Sequence, residues 1–153
     1  MGCDIHVFLE KKTDEKYDCW DQVQLYKVDN YSHNLEIADA YSGRNYELFS
    51  VLAGVRGWYE PMIEPRGYPN NLSRPVEKEK EWYGIDAHTP TWYDLFELNL
   101  LIKDFKNEHE NEDYIYEALD NFWNSLINYL DFAGEYVWEF KPNQYRVIIF
   151  FDS

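Results

Sequence analysis

Cationic side chains are scarce in this chain. Only 14 lysines and arginines stand against 29 aspartates and glutamates over 153 residues, for a formal net charge of −15. That deficit excludes nonspecific binding to nucleic acid, whose phosphates such a surface repels. The imbalance is uneven: residues 1–75 hold 8 basic and 12 acidic side chains, residues 76–153 hold 6 and 17. Cysteine is nearly absent. Cys3 and Cys19 make no disulfide framework, and two reduced thiols in a cytoplasmic protein are the expectation. No apolar run is long enough to cross a bilayer, so no membrane partner is expected. Nor does a basic segment lead into an apolar one, as in a secretory signal. What the chain does have is aromatic residues, 6 Trp, 14 Tyr and 9 Phe. Their apolar bulk and polar handles suit cores and recognition surfaces alike.

The length suits one domain with a real core. In residues 3–11, Cys3, Ile5, Val7 and Leu9 alternate with Asp4, His6, Phe8 and Glu10, which predicts a strand with one core face. Residues 19–28 alternate as a second strand. The segments EYVWEF and YRVIIFFDS, around Pro142 and Asn143, read as a hairpin. Nearly all apolar, VIIFF predicts a central strand paired with the first. Helical spacing predicts a helix over 45–55, with Asn45 as N-cap and Gly54 as stop. Two more are predicted, over 92–106 opened by Thr91 and over 113–133 ended by Gly134. LEIA suits one short helical turn. Residues 56–90 hold five of the six prolines and read as a long loop, ordered by its own aromatics. The sum is a single α+β domain, an antiparallel or mixed sheet of about four strands with about three helices packed on it.

Two Asp-X-His segments stand out, Asp4 with His6 and Asp86 with His88. In an extended chain that spacing turns both side chains to one side. If the first and last strands pair antiparallel, Asp152 comes near Asp4. Asp4, His6, Asp86, His88 and Asp152 then form a candidate set for zinc or manganese. The same groups suit general acid–base work, with His6, His88 and Asp86 as the catalytic candidates. The plainer reading is that they are hydrogen-bonded structural residues. His33 and His109 lie in polar stretches and are expected at the surface.

The few arginines point elsewhere. Arg44 precedes Tyr46, Arg56 precedes Trp58, and Arg66 is followed by Gly67 and Tyr68. Guanidinium forks onto phosphate, and aromatic rings stack on bases. Arg44, Tyr46, Arg56, Trp58, Arg66 and Trp92 are therefore the candidate contacts of a small nucleotide. The alternative is that each arginine pairs with a nearby acid, Glu47, Glu60 or Glu64.

Taken in order, MGCDIH, GRNYELFSVLAGVR, EPRGYP, DAHTPTW and the final FFD resemble a family of small bacteriophage-encoded proteins of unassigned activity. The resemblance covers most of the chain outside the acidic middle of the long helices. The family pattern Asp-X-His-Ser-X-Ser-Trp stands here as Asp86, His88, Thr89, Thr91 and Trp92, with Pro90 in the variable slot. Where the family tends to read Pro-Arg-Gly-Leu-Pro, this chain has Tyr68.

That resemblance implies a phage anti-defence protein in the cytoplasm of an infected bacterial host. Its expected role is to bind a cyclic or modified nucleotide signal in an Arg, aromatic and Asp-His pocket. One alternative is a metal-dependent phosphodiesterase or hydrolase acting on such a nucleotide, the metal supplying hydroxide. Another is an acidic inhibitor or DNA mimic that binds a host defence protein. A homo-oligomer with its site between subunits is compatible with each.

Overall fold

Alternation in β1 (Asp4–Asp14) decides which way the sheet faces. Cys3, just before it, and Ile5, Val7 and Leu9 within it are buried in one apolar cluster. The computed structural model describes residues 2–14, 19–24, 26–28, 35–37, 39–135 and 144–153. β1 pairs antiparallel with β2 (Cys19–Gln22) and with β6 (Tyr145–Asp152). β6 pairs antiparallel with β5 (Ala87–Asp94), so the order is β2-β1-β6-β5. Two short strands, β3 (Tyr26–Val28) and β4 (Leu35–Ile37), form a separate antiparallel pair. Among the described residues four helices complete an α+β fold: α1 (Tyr46–Ala53), α2 (Arg74–Tyr83), α3 (Leu95–Glu108) and α4 (Asp113–Phe132).

The apolar run of β6 does what its composition predicts. Every residue from Tyr145 to Phe151 is buried, because the strand is central and both its faces are covered. On one face Val147, Ile149 and Phe151 join the cluster of Cys3, Ile5, Val7 and Leu9. Phe49 and Leu52 of α1, Leu98 and Ile102 of α3, and Leu119, Phe122 and Leu126 of α4 pack into it. Each such side chain contributes about 1.5–3 kcal/mol by leaving water. On the opposite face lie His6, Phe8, Ile148 and Phe150. Tyr83 at the end of α2 packs on His6 and Phe150, its ring centroid 4.1 Å from that of His6 and 5.5 Å from that of Phe150.

Local capping follows the sequence at α1. The Asn45 side chain accepts from the Leu48 N–H at 3.1 Å, and Gly54 takes the left-handed conformation (φ 70°) that glycine adopts without a steric cost. Elsewhere the expectations need correction. The stretch 19–28 is two strands, β2 and β3, not one. LEIA lies partly in β4 rather than in a helical turn. The loop expected over 56–90 contains α2, a single 3-10 turn (Gly84–Asp86) and the start of β5. α2 has no apolar period to announce it, because Val76 is its only buried residue. Its glutamates and lysines favour helix by propensity, and Pro75 is tolerated in the first turn. The helix expected from 92 begins at Leu95. Thr91, Trp92 and Tyr93 favour strand and extend β5, and the cap is Asp94, which accepts from the Glu97 N–H at 2.7 Å. The first strand of the expected C-terminal hairpin falls mostly within 136–143, and His33 within 29–34, outside the described residues.

Asp94→Ala should remove that cap and cost about 1 kcal/mol. The expected reading is a lower midpoint in urea unfolding with an unchanged slope.

Candidate functional site

The two Asp-X-His segments reach the same end of the sheet but not the same face. Asp4 is opposite Asp152 in the β1–β6 ladder, as the sequence predicts. His6 is opposite Phe150 in β6, whereas His88 is opposite Phe151. Adjacent residues of a strand point to opposite faces, so the two imidazoles are on opposite sides of the sheet. His6 Nε2 is 3.2 Å from Asp152 Oδ1, an ion-pair distance without hydrogen-bond alignment. His88 lies against Phe151 and meets the hydroxyls of Thr89 and Ser153 at 2.9 and 3.0 Å. Asp86 is exposed in the 3-10 turn.

Asp4, Asp86 and Asp152 line a shallow pocket of about 370 Å³ with Gly2 and Ser153. Its aspartates repel a phosphate. Among the described residues no three His, Cys, Asp or Glu side chains are arranged to hold a metal ion. The proposed ligand set of Asp4, His6, Asp86, His88 and Asp152 therefore does not converge. Neither does a catalytic set of His6, His88 and Asp86.

The arginines divide between two places. Arg44 donates through Nε to Asp4 Oδ1 at 3.1 Å, in an exposed ion pair that ties the loop before α1 to the start of β1. Tyr46 Oη accepts from the Cys3 N–H at 3.1 Å, and the Arg56 guanidinium lies 5.8 Å from the Tyr46 ring centroid. Burial pushes the Cys3 thiol pKa up, against a hydrogen bond and the charge of Arg56. Trp58 projects into solvent, 83 % exposed.

Arg66 and Trp92 lie elsewhere, in a cleft of about 500 Å³ on the face of the sheet shared with His6. Trp20, Tyr68 and Arg146 complete its aromatic and cationic lining, and Asn70 and Asn71 close one wall. Arg146 and Asp152 are six residues apart on β6, which separates cleft and acidic pocket by about 20 Å along the strand. The six ligand contacts read from sequence thus do not share one pocket: Arg44, Tyr46, Arg56 and Trp58 are not among the lining residues.

Each guanidinium in the cleft is fixed in place. Arg66 makes a two-pronged bond to Glu97, 2.7 and 2.6 Å, which raises its pKa above the ordinary value. It also lies 4.9 Å from the Trp92 ring centroid. Arg146, opposite Glu10 in the ladder, donates through Nε to Glu10 Oε1 at 2.6 Å; the two side chains are 3 % and 0 % exposed. Arg146 donates further to the side-chain oxygen and carbonyl of Asn71, and lies 4.0 Å from the Trp20 ring centroid.

The loop bearing Tyr68 is anchored at several points. The Arg66 N–H donates to Thr91 Oγ1 at 3.2 Å, the Gly67 N–H to the Pro90 carbonyl at 2.9 Å, and the Ser73 N–H to Glu10 Oε2 at 2.7 Å. Gly67 takes φ 77°, which accounts for glycine after Arg66. The Tyr68 hydroxyl is buried with no hydrogen-bond partner among the described residues, and burial raises its pKa. Lys80 Nζ lies 4.4 Å from the Tyr68 ring centroid.

Sequence reading missed Trp20, Tyr68 and Arg146 as site residues. Parity carried a signal: in β6, Arg146 shares the face of Ile148 and Phe150, a charge where an apolar residue is expected. Comparison with protein-family models, with curated proteins and with solved structures returns no match.

Proposed function

We propose that this protein binds a small nucleotide in the Trp20–Trp92 cleft and holds it without turnover. The observation that carries the reading is the lining itself. Two indole rings and a phenol stand beside two guanidiniums held in fixed positions, in a volume of about 500 Å³. That volume is within the range of about 300–1,000 Å³ used for small-molecule sites. Aromatic faces take a base by stacking, and the Asn70 amide brings a donor and an acceptor for its edge. Because Glu97 and Glu10 already balance the two arginines, base recognition dominates. Lys80, beside Tyr68, supplies a further cation for phosphate.

Binding is favoured over hydrolysis because, among the described residues, the cleft lining includes no His, Asp, Glu, Ser or Cys to act as base or nucleophile. The phage resemblance gives the ligand class: a cyclic or modified nucleotide signal of a host defence system, sequestered during infection.

The test mixes the purified protein with a panel of cyclic and linear signalling nucleotides, with and without manganese. Chromatography follows before and after heat denaturation. A nucleotide that disappears and returns intact is the expected result. One that returns as a product replaces sequestration with catalysis. If every nucleotide stays free and unchanged, the proposal fails.

A further inference from the structure

A second groove, on the helical side of the molecule, shares no lining residue with the cleft. It runs between the loop after α1 and the C-terminal half of α3, with a volume of about 220 Å³. Pro61, Met62, Leu101 and Phe105 make its apolar floor. Glu60, Asp104 and Glu108 stand at its rim, all exposed, and among the described residues no lysine or arginine lines it. Among the described residues none of these three carboxylates has an ion-pair partner. Elsewhere in the molecule Lys106 is drawn to Asp120 and Arg66 to Glu97.

The walls are preformed. The Met62 N–H donates to the Val51 carbonyl at 2.9 Å, which ties the loop to α1. Tyr59 packs edge-on to Phe105, ring centroids 5.6 Å apart. His109, expected at the surface, caps α3 instead: its ring stacks on Phe105 at 4.0 Å and its Nδ1 lies 3.0 Å from the Phe105 carbonyl. Exposed apolar surface continues past the groove. Leu100, the residue before Leu101 on α3, is 45 % exposed, and Trp58, two residues before Glu60, is 83 % exposed.

From this arrangement we infer that the groove docks a basic amphipathic segment of a partner protein. One or two apolar side chains would seat on Met62, Leu101 and Phe105, and flanking lysines or arginines would meet Glu60, Asp104 and Glu108. Charge complementarity selects that occupant. A second copy of this chain brings a net charge of −15 to an acidic rim, and nucleic acid and anionic lipid are repelled in the same way.

The test uses a fluorescein-labelled amphipathic peptide of leucine and lysine as probe, with anisotropy read at low and at physiological salt. The intact protein should bind it, and Asp104→Lys with Glu108→Lys should weaken binding by about tenfold or more. Reversing Glu117 and Asp131 on α4 makes the same change in net charge away from the groove, and should leave affinity within about threefold. A lysine–serine peptide of equal charge should bind much more weakly than the leucine–lysine probe. Circular dichroism confirms that the variants fold, and Asp104→Asn with Glu108→Gln should fall between. Absence of binding overturns the inference. So does equal weakening by the α4 reversals, which would assign binding to the overall field, or equal binding of the serine peptide, which would make the apolar floor irrelevant.

Discussion

Glu10→Ala is expected to destabilise the fold by about 3–5 kcal/mol, the usual cost of leaving a buried charge without its partner. Glu10 is fully buried, and each carboxylate oxygen has its own donor, Arg146 Nε on one and the Ser73 N–H on the other. The substitution strands the Arg146 guanidinium against Asn71 and Trp20 and removes one anchor, at Ser73, of the loop that carries Tyr68. Against a total stability of about 5–15 kcal/mol this is a large fraction, and the variant should unfold at much lower denaturant. Arg146→Ala should cost a similar amount. The double variant Glu10→Leu with Arg146→Met should be more stable than either single variant, since neither charge is left alone. Urea unfolding of the four proteins tests this. Additive costs in the double variant would show that the pair is not a coupled unit.

The second large effect is on binding. Trp92→Ala should weaken the nucleotide identified by the panel by about tenfold to a hundredfold, the worth of one stacked base. Titration followed by tryptophan fluorescence gives the affinity, and a thermal melt shows whether the fold is retained. Trp58→Ala and Trp82→Ala are the controls. Both side chains are more than 80 % exposed, and neither lines the cleft. If Trp58→Ala abolishes binding and Trp92→Ala does not, the ligand is not in the cleft. Arg66→Lys should also weaken binding, because an ammonium cannot reproduce the two-point grip on Glu97 that fixes Arg66 beside Trp92.

What the sequence disclosed depended on whether local pattern or distant pairing decided the outcome. The face of β1, the burial of β6 and the opposition of Asp4 and Asp152 all follow from alternation in two segments with little choice of partner. Asn45 and Gly54 announce their helix because capping is local chemistry. α2 was invisible because one buried valine leaves no period. The end of β5, residues 92–94, reads as helix because the leucines just beyond it impose their period. At the site, Arg66 and Trp92 were both selected and do share a cleft. Their association depends on Glu97, 31 residues from Arg66, which no local pattern reveals. Arg146 and Glu10 are 136 residues apart, and their contact is a product of register. His6 and His88 were read as one set because a two-residue spacing looks alike in both segments. Only the ladder shows that they oppose neighbouring residues of β6, and so lie on opposite faces.

The strand order has a consequence for how the molecule is made. β6 is one of the two central strands, yet it follows every other described element along the chain. Until β6 is made, β1 has only β2 to zip against among the described strands, and β5 has no ladder neighbour among them. The apolar side of β1 must wait through the synthesis of all four helices before its main partner emerges. Closure of the sheet is therefore governed by contacts of high sequence separation, and slow as such contacts are. A high density of negative charge along the waiting chain keeps nascent copies apart during that interval.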